Sequence, residues 1–468
     1  MLKSKYLFLY LFLLILSVFL FFKLSTLNFQ FSDGNAYFYM ANRILAGQRP
    51  YQDFLLADPP LLVYLLAGVK LIIGDKIILF QTLPIFLEAA TAWFLFLIIK
   101  NQTKKTWIAA WSAIFYLSSF LILSTSDFIT GLHFINFFIT SALLLHLKQK
   151  DFLSGLLWAT AILIKLYVVP GFAAWLLFLF FKKKYPQLKK CFVGALLTGL
   201  IIMLPFLLLN FKELIDYILL HQLNRPPGIP KTRIWLLFLK KDWAWLFTAG
   251  AGLYLARHRV WLYPILAWLG FYLIFTDLYY LYLGVLAPWL ALGFAEFLQW
   301  LSKKLDKNNN KTQIITSFVF LLLLMNLTHW PDYWNNFHSQ HIITQEQLKE
   351  LSIISQEHQL PIYGNHEIAP LVALHSNQTL FGNHIDTNGQ LFGSGVLDKE
   401  KISQQAVETG ILLLTNVADI PQNKKIDSGH EAYFSAEIFQ QYCQRHTIIH
   451  GSDNKLTDDV AVYECKIR

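Results

Sequence analysis

Residues 6–27, Y-L-F-L-Y-L-F-L-L-I-L-S-V-F-L-F-F-K-L-S-T-L, run directly into S-D-G-N-A-Y at 32–37 and P-Y-Q-D-F-L-L-A-D-P-P at 50–60. The first stretch is too long and unbroken for the apolar part of a signal peptide. It also lacks a small-residue cleavage site, so it reads as a retained membrane helix. The two motifs after it put Asp33, Asp53 and Asp58 in the first polar loop. Carboxylates held at a bilayer surface are costly unless used, which makes this loop the place to look for acid–base chemistry.

Working outward, the rest of the chain has the same character. Of 468 residues, 55% are hydrophobic and 15% charged, with 40 Phe and 14 Trp. A soluble fold of this length has too little interior for that apolar surface, so the bilayer must be the solvent for most of it. The net charge of +9 falls in clusters between apolar runs: Lys3 and Lys5; Lys100, Lys104 and Lys105; Lys148 and Lys150; Lys182 to Lys184 with Lys189 and Lys190; Arg257 and Arg259; Lys303, Lys304, Lys307 and Lys311. That pattern sets orientation, with these turns and the N-terminus cytoplasmic. It offers neither a basic stripe nor a stacking platform, so nucleic acid is not an expected partner.

With every basic cluster on one side, parity counts about eleven transmembrane helices. Residues 6–27 go out, 77–99 return, and 59–73, roughly 22 Å as a helix, is too short to cross. The segment 28–76 is therefore an external loop. Runs 106–124 and 128–147 go out and back with Asp127 at the turn. The stretch 152–181 makes two short helices meeting at Lys165 and Pro170–Gly171. Run 191–209 leads to a second external loop, 210–241, holding R-P-P-G-I-P, and four further runs end at 330. The expected fold class is a multi-pass α-helical membrane protein over 1–330 and an extracytoplasmic α/β domain over 331–468. In the latter, a helix is expected near 344–358 and strands at 361–363, 411–415, 446–450 and 459–465.

Ser32-Asp33-Gly34 opens a helix over 34–46 that Gly47 ends; Tyr37, Met40, Ile44 and Leu45 form an apolar face suited to the membrane surface. Asp33 is read either as its N-cap or as a general base kept ionised by the helix dipole. Lys165, inside an apolar run, calls for a polar cavity or for snorkelling. Glu88 suits an inter-helix hydrogen bond. Cys443 and Cys465 lie in the polar tail, where a disulfide is open but not dictated. In G-N-H-E (364–367) and G-N-H-I-D (382–386) the His and acidic residues lack ligand spacing and read as turn residues rather than a metal site.

The combination of Asp33 ahead of Tyr37 and Gly47, then P-Y-x-D-F at 50–54 and P-P-L-L-V-Y-L at 59–65, resembles the first external loop of the GT-C glycosyltransferases. These include protein O-mannosyltransferases, aminoarabinose transferases of lipid A and Rgt-type transferases, and the resemblance covers roughly residues 1–300. It implies a GT-C-like fold and a polyprenyl-phosphate sugar donor. It further implies a lipid, glycan or protein acceptor and an inverting displacement with Asp33 as base. It also suggests substrate contacts for Asp53, Asp58, Lys165, Asp127 and Tyr37, while Arg225 and Arg233, in the second external loop against the positive-inside trend, are read as further candidates to meet the donor. Relatives often carry Lys or His where Asp58 stands; an Asp there cannot meet the donor phosphate, which leaves Asp58 to the acceptor or a divalent ion. The segment L-Y-Y-L-Y-L-G-V-L-A-P (278–288) lacks the basic residue that relatives often place before Tyr. No cofactor is expected: there is no nucleotide loop, and a divalent metal is not indicated. A flippase of lipid-linked sugars is the alternative, although matching halves with interrupted helices are not visible.

Overall fold

The computed structural model describes residues 2–27, 30, 32–305, 311–328, 343–417, 429–451 and 459–467. Lys307 and the Trp330 boundary lie outside the described residues. Among those described, twelve apolar helices form the bulk of the chain: Leu2–Ser25, Leu61–Ile73, Thr82–Thr103, Thr106–Ser118, Leu132–Leu147, Asp151–Ile162, Val169–Phe181, Tyr185–Leu209, Trp243–Leu255, Leu262–Ile274, Ala287–Lys304 and Lys311–Leu327. Several of the basic turns are tied to neighbouring helices. Lys105 Nζ donates to Ser302 Oγ (2.7 Å), Arg259 Nε to Glu296 (2.8 Å) and Gln187 to Gln149 (3.0 Å). Four stretches, Tyr6–Ser25, Ile77–Thr103, Tyr185–Leu209 and Tyr280–Lys304, are long and apolar enough to cross a membrane by themselves. The Tyr185–Leu209 helix leaves Leu200, Ile201, Leu204, Leu208 and Leu209 exposed, which a bilayer would cover.

Small residues let the helices approach closely. A Cβ on Gly252 would lie 1.7 Å from the carbonyl oxygen of Gly293, and one on Gly155 would lie 1.9 Å from that of Cys191. Gly252→Leu is therefore expected to push apart the Trp243–Leu255 and Ala287–Lys304 helices. The loss should be about 3 kcal/mol or more, read as a lower melting temperature of the solubilised protein.

The run 106–124 is not one helix. It breaks at Ser119, whose Oγ accepts from Ile122 N–H (3.3 Å), and a second helix, Phe120–Thr125, begins. Asp242 caps that helix, its carboxylate accepting from Phe120 N–H (2.8 Å) and Leu121 N–H (3.1 Å). Such a cap from a residue far along the chain is invisible to hydropathy. Glu88 makes the expected inter-helix bonds, accepting from Tyr116 and from Asn136 (3.1 Å) and meeting His133 Nδ1 at 2.5 Å.

The polar tail packs on the first loop, its helix Ala369–Ser376 against the helix Asp33–Leu45. Thr344 and Gln347 form a capping box that starts the helix Gln345–His358. A four-stranded sheet follows in the order β1-β2-β4-β3, with β1 (Ile362–Gly364), β2 (Ile411–Val417), β3 (Cys443–Ile449) and β4 (Asp459–Cys465). β1 runs parallel to β2, and β4 pairs antiparallel with both β2 and β3. The I-L-L-L-T of β2 is wholly buried, as a central strand covered on both faces requires. Cys443 and Cys465 face each other across β3 and β4 and are joined by a disulfide.

Candidate functional site

Asp33 stands inside the first turn of the helix Asp33–Leu45, while Ser32, in extended backbone, takes the N-cap position. Asp33 is thus not the cap, and its carboxylate is free to point elsewhere. Much of the helix is covered by protein rather than left open. Phe38, Tyr39, Met40 and Ala41 are buried, because the helix Leu61–Ile73 and the tail helix Ala369–Ser376 pack against it. Tyr37 and Asp33 face inward, onto a cavity of about 720 Å³.

One wall of the cavity is a charged triangle. Lys165 Nζ meets Asp58 Oδ2 at 2.5 Å and donates to Tyr37 Oη (2.9 Å), while Tyr37 Oη donates to the same Asp58 oxygen (2.9 Å). Tyr51 Oη holds the Asp58 carbonyl at 2.7 Å. Lys165 is extended, between the helix ending at Ile162 and a single 3₁₀ turn, Leu166–Val168. Pro170 starts the next helix in its first turn, so the chain reverses here and turns the lysine into the cavity. Asp58 is thereby a partner of the cavity's lysine, and two of the three ammonium protons are used by these bonds.

The second cation comes from R-P-P-G-I-P. Arg225 Nη2 lies 2.7 Å from Asp277 Oδ2, and Nη1 donates to Gln222 (3.3 Å). A Cβ on Gly228 would sit 2.1 Å from Asp277 Oδ1, so this loop closes on Asp277 only with glycine there. The Arg225 guanidinium is stabilised in its charged form: burial opposes the charge, but Tyr282 and Asp277 outweigh it. Burial and Arg225 together push His221 down to about 4, so it is neutral, and its Nδ1 meets Ser394 Oγ at 2.7 Å. The cavity also has an apolar lining that includes Leu219, Leu223, Phe271 and Ile274. Leu223 and Ile274 are 79% and 75% exposed, so this wall reaches the protein surface.

The tail supplies what the sequence reading missed. His366 Nε2 lies 3.1 Å from Asp33 Oδ1, and Asp386, Asn388 and Gln390 also line the cavity. Burial by itself would drive His366 toward neutrality. The hydrogen bond to Asp33, with the charges of Asp33, Glu367 and Asp386, raises it instead to about 9. For Asp33, burial would raise the carboxyl; His366, with Lys165 and Arg225, wins and lowers it below the usual range. Asp386 is raised by burial, against the pull of His366. The imidazole binds more protons folded than unfolded, so its stabilisation is full below pH 6.5 and lost as pH rises through about 9. The Asp33 contribution is present above pH 3.8 and lost as pH falls through its lowered value. The docking of the tail on the bundle is accordingly expected to weaken between pH 6.5 and about 9, read by limited proteolysis between them.

Three predicted residues do not line the cavity. Asp53 is exposed and closes its own turn, accepting from Arg49 N–H (2.7 Å). Asp127 is buried in an ion pair with Lys23 (3.1 Å), tying the first helix to the bundle. Arg233 is exposed on the helix Lys231–Lys241. Ligand atoms of Asp33, His366 and Glu367 lie within 4.8 Å of one another, a spacing that admits a cation. In this arrangement a carboxylate–imidazole hydrogen bond occupies the place.

A family model described as GPI transamidase subunit PIG-U matches residues 41–222, a stretch that holds Asp58 and Lys165 and stops short of Asp33 and Arg225. No curated protein matches the chain in sequence. Among solved structures, the crystal structure of the Archaeoglobus fulgidus oligosaccharyltransferase in complex with Zn and sulfate is similar, with a TM-score of 0.56 and 12% identity. The match covers 85% of this chain and 67% of that one. At that identity the likeness speaks for architecture: this is a multi-pass membrane protein with a GT-C-like fold, its helical bundle followed by a small C-terminal sheet.

Proposed function

We propose that the chain is an inverting glycosyltransferase that moves a sugar from a polyprenyl-phosphate carrier to a lipid, glycan or protein acceptor. The observation that carries the reading is the composition of one cavity. Asp33 stands in it with the cations Lys165 and Arg225, beside an apolar lining that reaches the protein surface at Leu223 and Ile274. In this reading the two cations hold the carrier phosphate, and the carrier tail leaves along Leu219, Leu223 and Ile274. Asp33 takes the proton of the acceptor hydroxyl as its oxygen bonds to the anomeric carbon. The bond from that carbon to the phosphate oxygen breaks, and the lipid phosphate departs with the electron pair. Basic turns in the cytosol would put the cavity, and the region 331–468, on the extracytoplasmic side.

The experiment is transfer of radiolabelled sugar from a short-chain polyprenyl phosphate by the purified protein in proteoliposomes. The match to a transamidase subunit favours a second reading, in which the chain binds its glycolipid only within an assembly. Transfer by the isolated chain excludes that reading. Translocation of the lipid-linked sugar in sealed vesicles without acceptor would instead support a flippase.

A further inference from the structure

We propose that His366, carried by the tail, is a positioning residue for Asp33, so that the reactive centre is completed only when the tail sits on the loop helix; this rests on the transferase reading. The strand β1 ends at Gly364, where the backbone has φ +150° and a Cβ would come within 2.0 Å of the Leu414 carbonyl oxygen. The chain therefore turns sharply off the sheet. Asn365 holds the turn: its N–H donates to Leu414 O (3.0 Å), its side chain accepts from Glu367 N–H (2.7 Å), and its carbonyl receives Ala369 N–H (2.8 Å). The turn is thus rigid before it reaches the bundle.

It is also clamped there. Asn35, two residues from Asp33 on the same helix, donates through Nδ2 to Glu367 O (2.7 Å) and to Gln30 O (2.9 Å). Tyr39 Oη accepts from Leu380 N–H (3.3 Å), and Asn383 meets Arg43 (3.4 Å) and the Asp53 carbonyl (3.3 Å). These bonds set the tail against the helix, and His366 projects between them onto Asp33 Oδ1. One carboxylate oxygen is thus held by the imidazole, which fixes the rotamer and leaves the other oxygen for an acceptor proton. Other charged groups around the pair are Glu367 and Asp386 beside His366, and Lys165 and Arg225 beside Asp33.

The test compares wild type, His366→Gln, His366→Ala and the control His375→Gln, with EDTA in every assay. For both His366 variants kcat should fall about tenfold to a hundredfold with the donor KM unchanged, and the control should match wild type. With the positive partner gone, the acid limb of the kcat/KM profile should move up by about one pH unit, a shift that a merely structural role would not produce. An unshifted profile, or transfer that EDTA abolishes and Mn²⁺ restores, overturns the proposal. A second readout needs no activity: histidine ¹⁵N shifts of wild type and Asp33→Asn, with His366 assigned by its loss in His366→Gln. His366 should keep its proton to about pH 9 in wild type and lose it at a clearly lower pH in the variant, where burial is no longer offset by the Asp33 carboxylate. Identical titration in both overturns the positioning role. Absence of transfer in wild type with the expected titration intact would count against the transferase reading alone.

Discussion

Asp33→Asn is expected to lower sugar transfer by a factor of about 10²–10⁴ while leaving expression and donor binding intact. The amide is isosteric, so the cavity keeps its shape; only the proton-accepting charge is lost. His366 then faces an amide oxygen instead of a carboxylate and loses the partner that keeps it protonated. Because Lys165 and Arg225 remain, binding of a labelled polyprenyl phosphate should persist at near wild-type affinity. A variant that transfers at normal rates would remove Asp33 from the reaction.

Lys165→Met is expected to act on the other half of the cycle. The ammonium lies in a triangle with Asp58 and Tyr37, and the Lys165 and Asp58 side chains are each only 15% exposed. In the transferase reading, removing the cation would take away a phosphate contact and would also strand the Asp58 carboxylate, which would repel the incoming phosphate. Donor affinity should drop by about 100-fold or more, measured by equilibrium binding of labelled carrier. The double variant Lys165→Met with Asp58→Asn should recover part of that loss, since it removes the stranded charge as well. Equal affinity in all three proteins would show that the phosphate sits elsewhere, with Arg225 the next residue to change.

The two variants separate because the cavity is assembled from distant pieces of chain. Asp33 and Asp58 come from the first loop, Lys165 from the break between two short helices, Arg225 from the second loop, and His366 from the tail. Each piece carries a local signal of a different strength. A lysine in an apolar run and an acidic loop after a membrane helix are conspicuous, because burial of charge in hydrocarbon is expensive. A histidine in a polar tail is not, since G-N-H-E suits an ordinary turn. That is why Lys165 was legible beforehand and His366 was not. Asp127 shows the converse: its position at a helix end is conspicuous, yet its charge is spent on Lys23.

Hydropathy and the spacing of basic clusters were enough to specify the bundle, the paired short helices around Lys165, and a tail with four strands near their observed places. These follow from the sequence because a backbone in hydrocarbon must satisfy its own hydrogen bonds, so every crossing is a local apolar helix. Partner choice belonged to the tertiary structure alone. His366 and Asp33 are 333 positions apart, and Ser119 breaks a helix because Asp242 arrives to cap it. Such contacts depend on how helices pack and where the tail lands, and no periodicity along the chain encodes either.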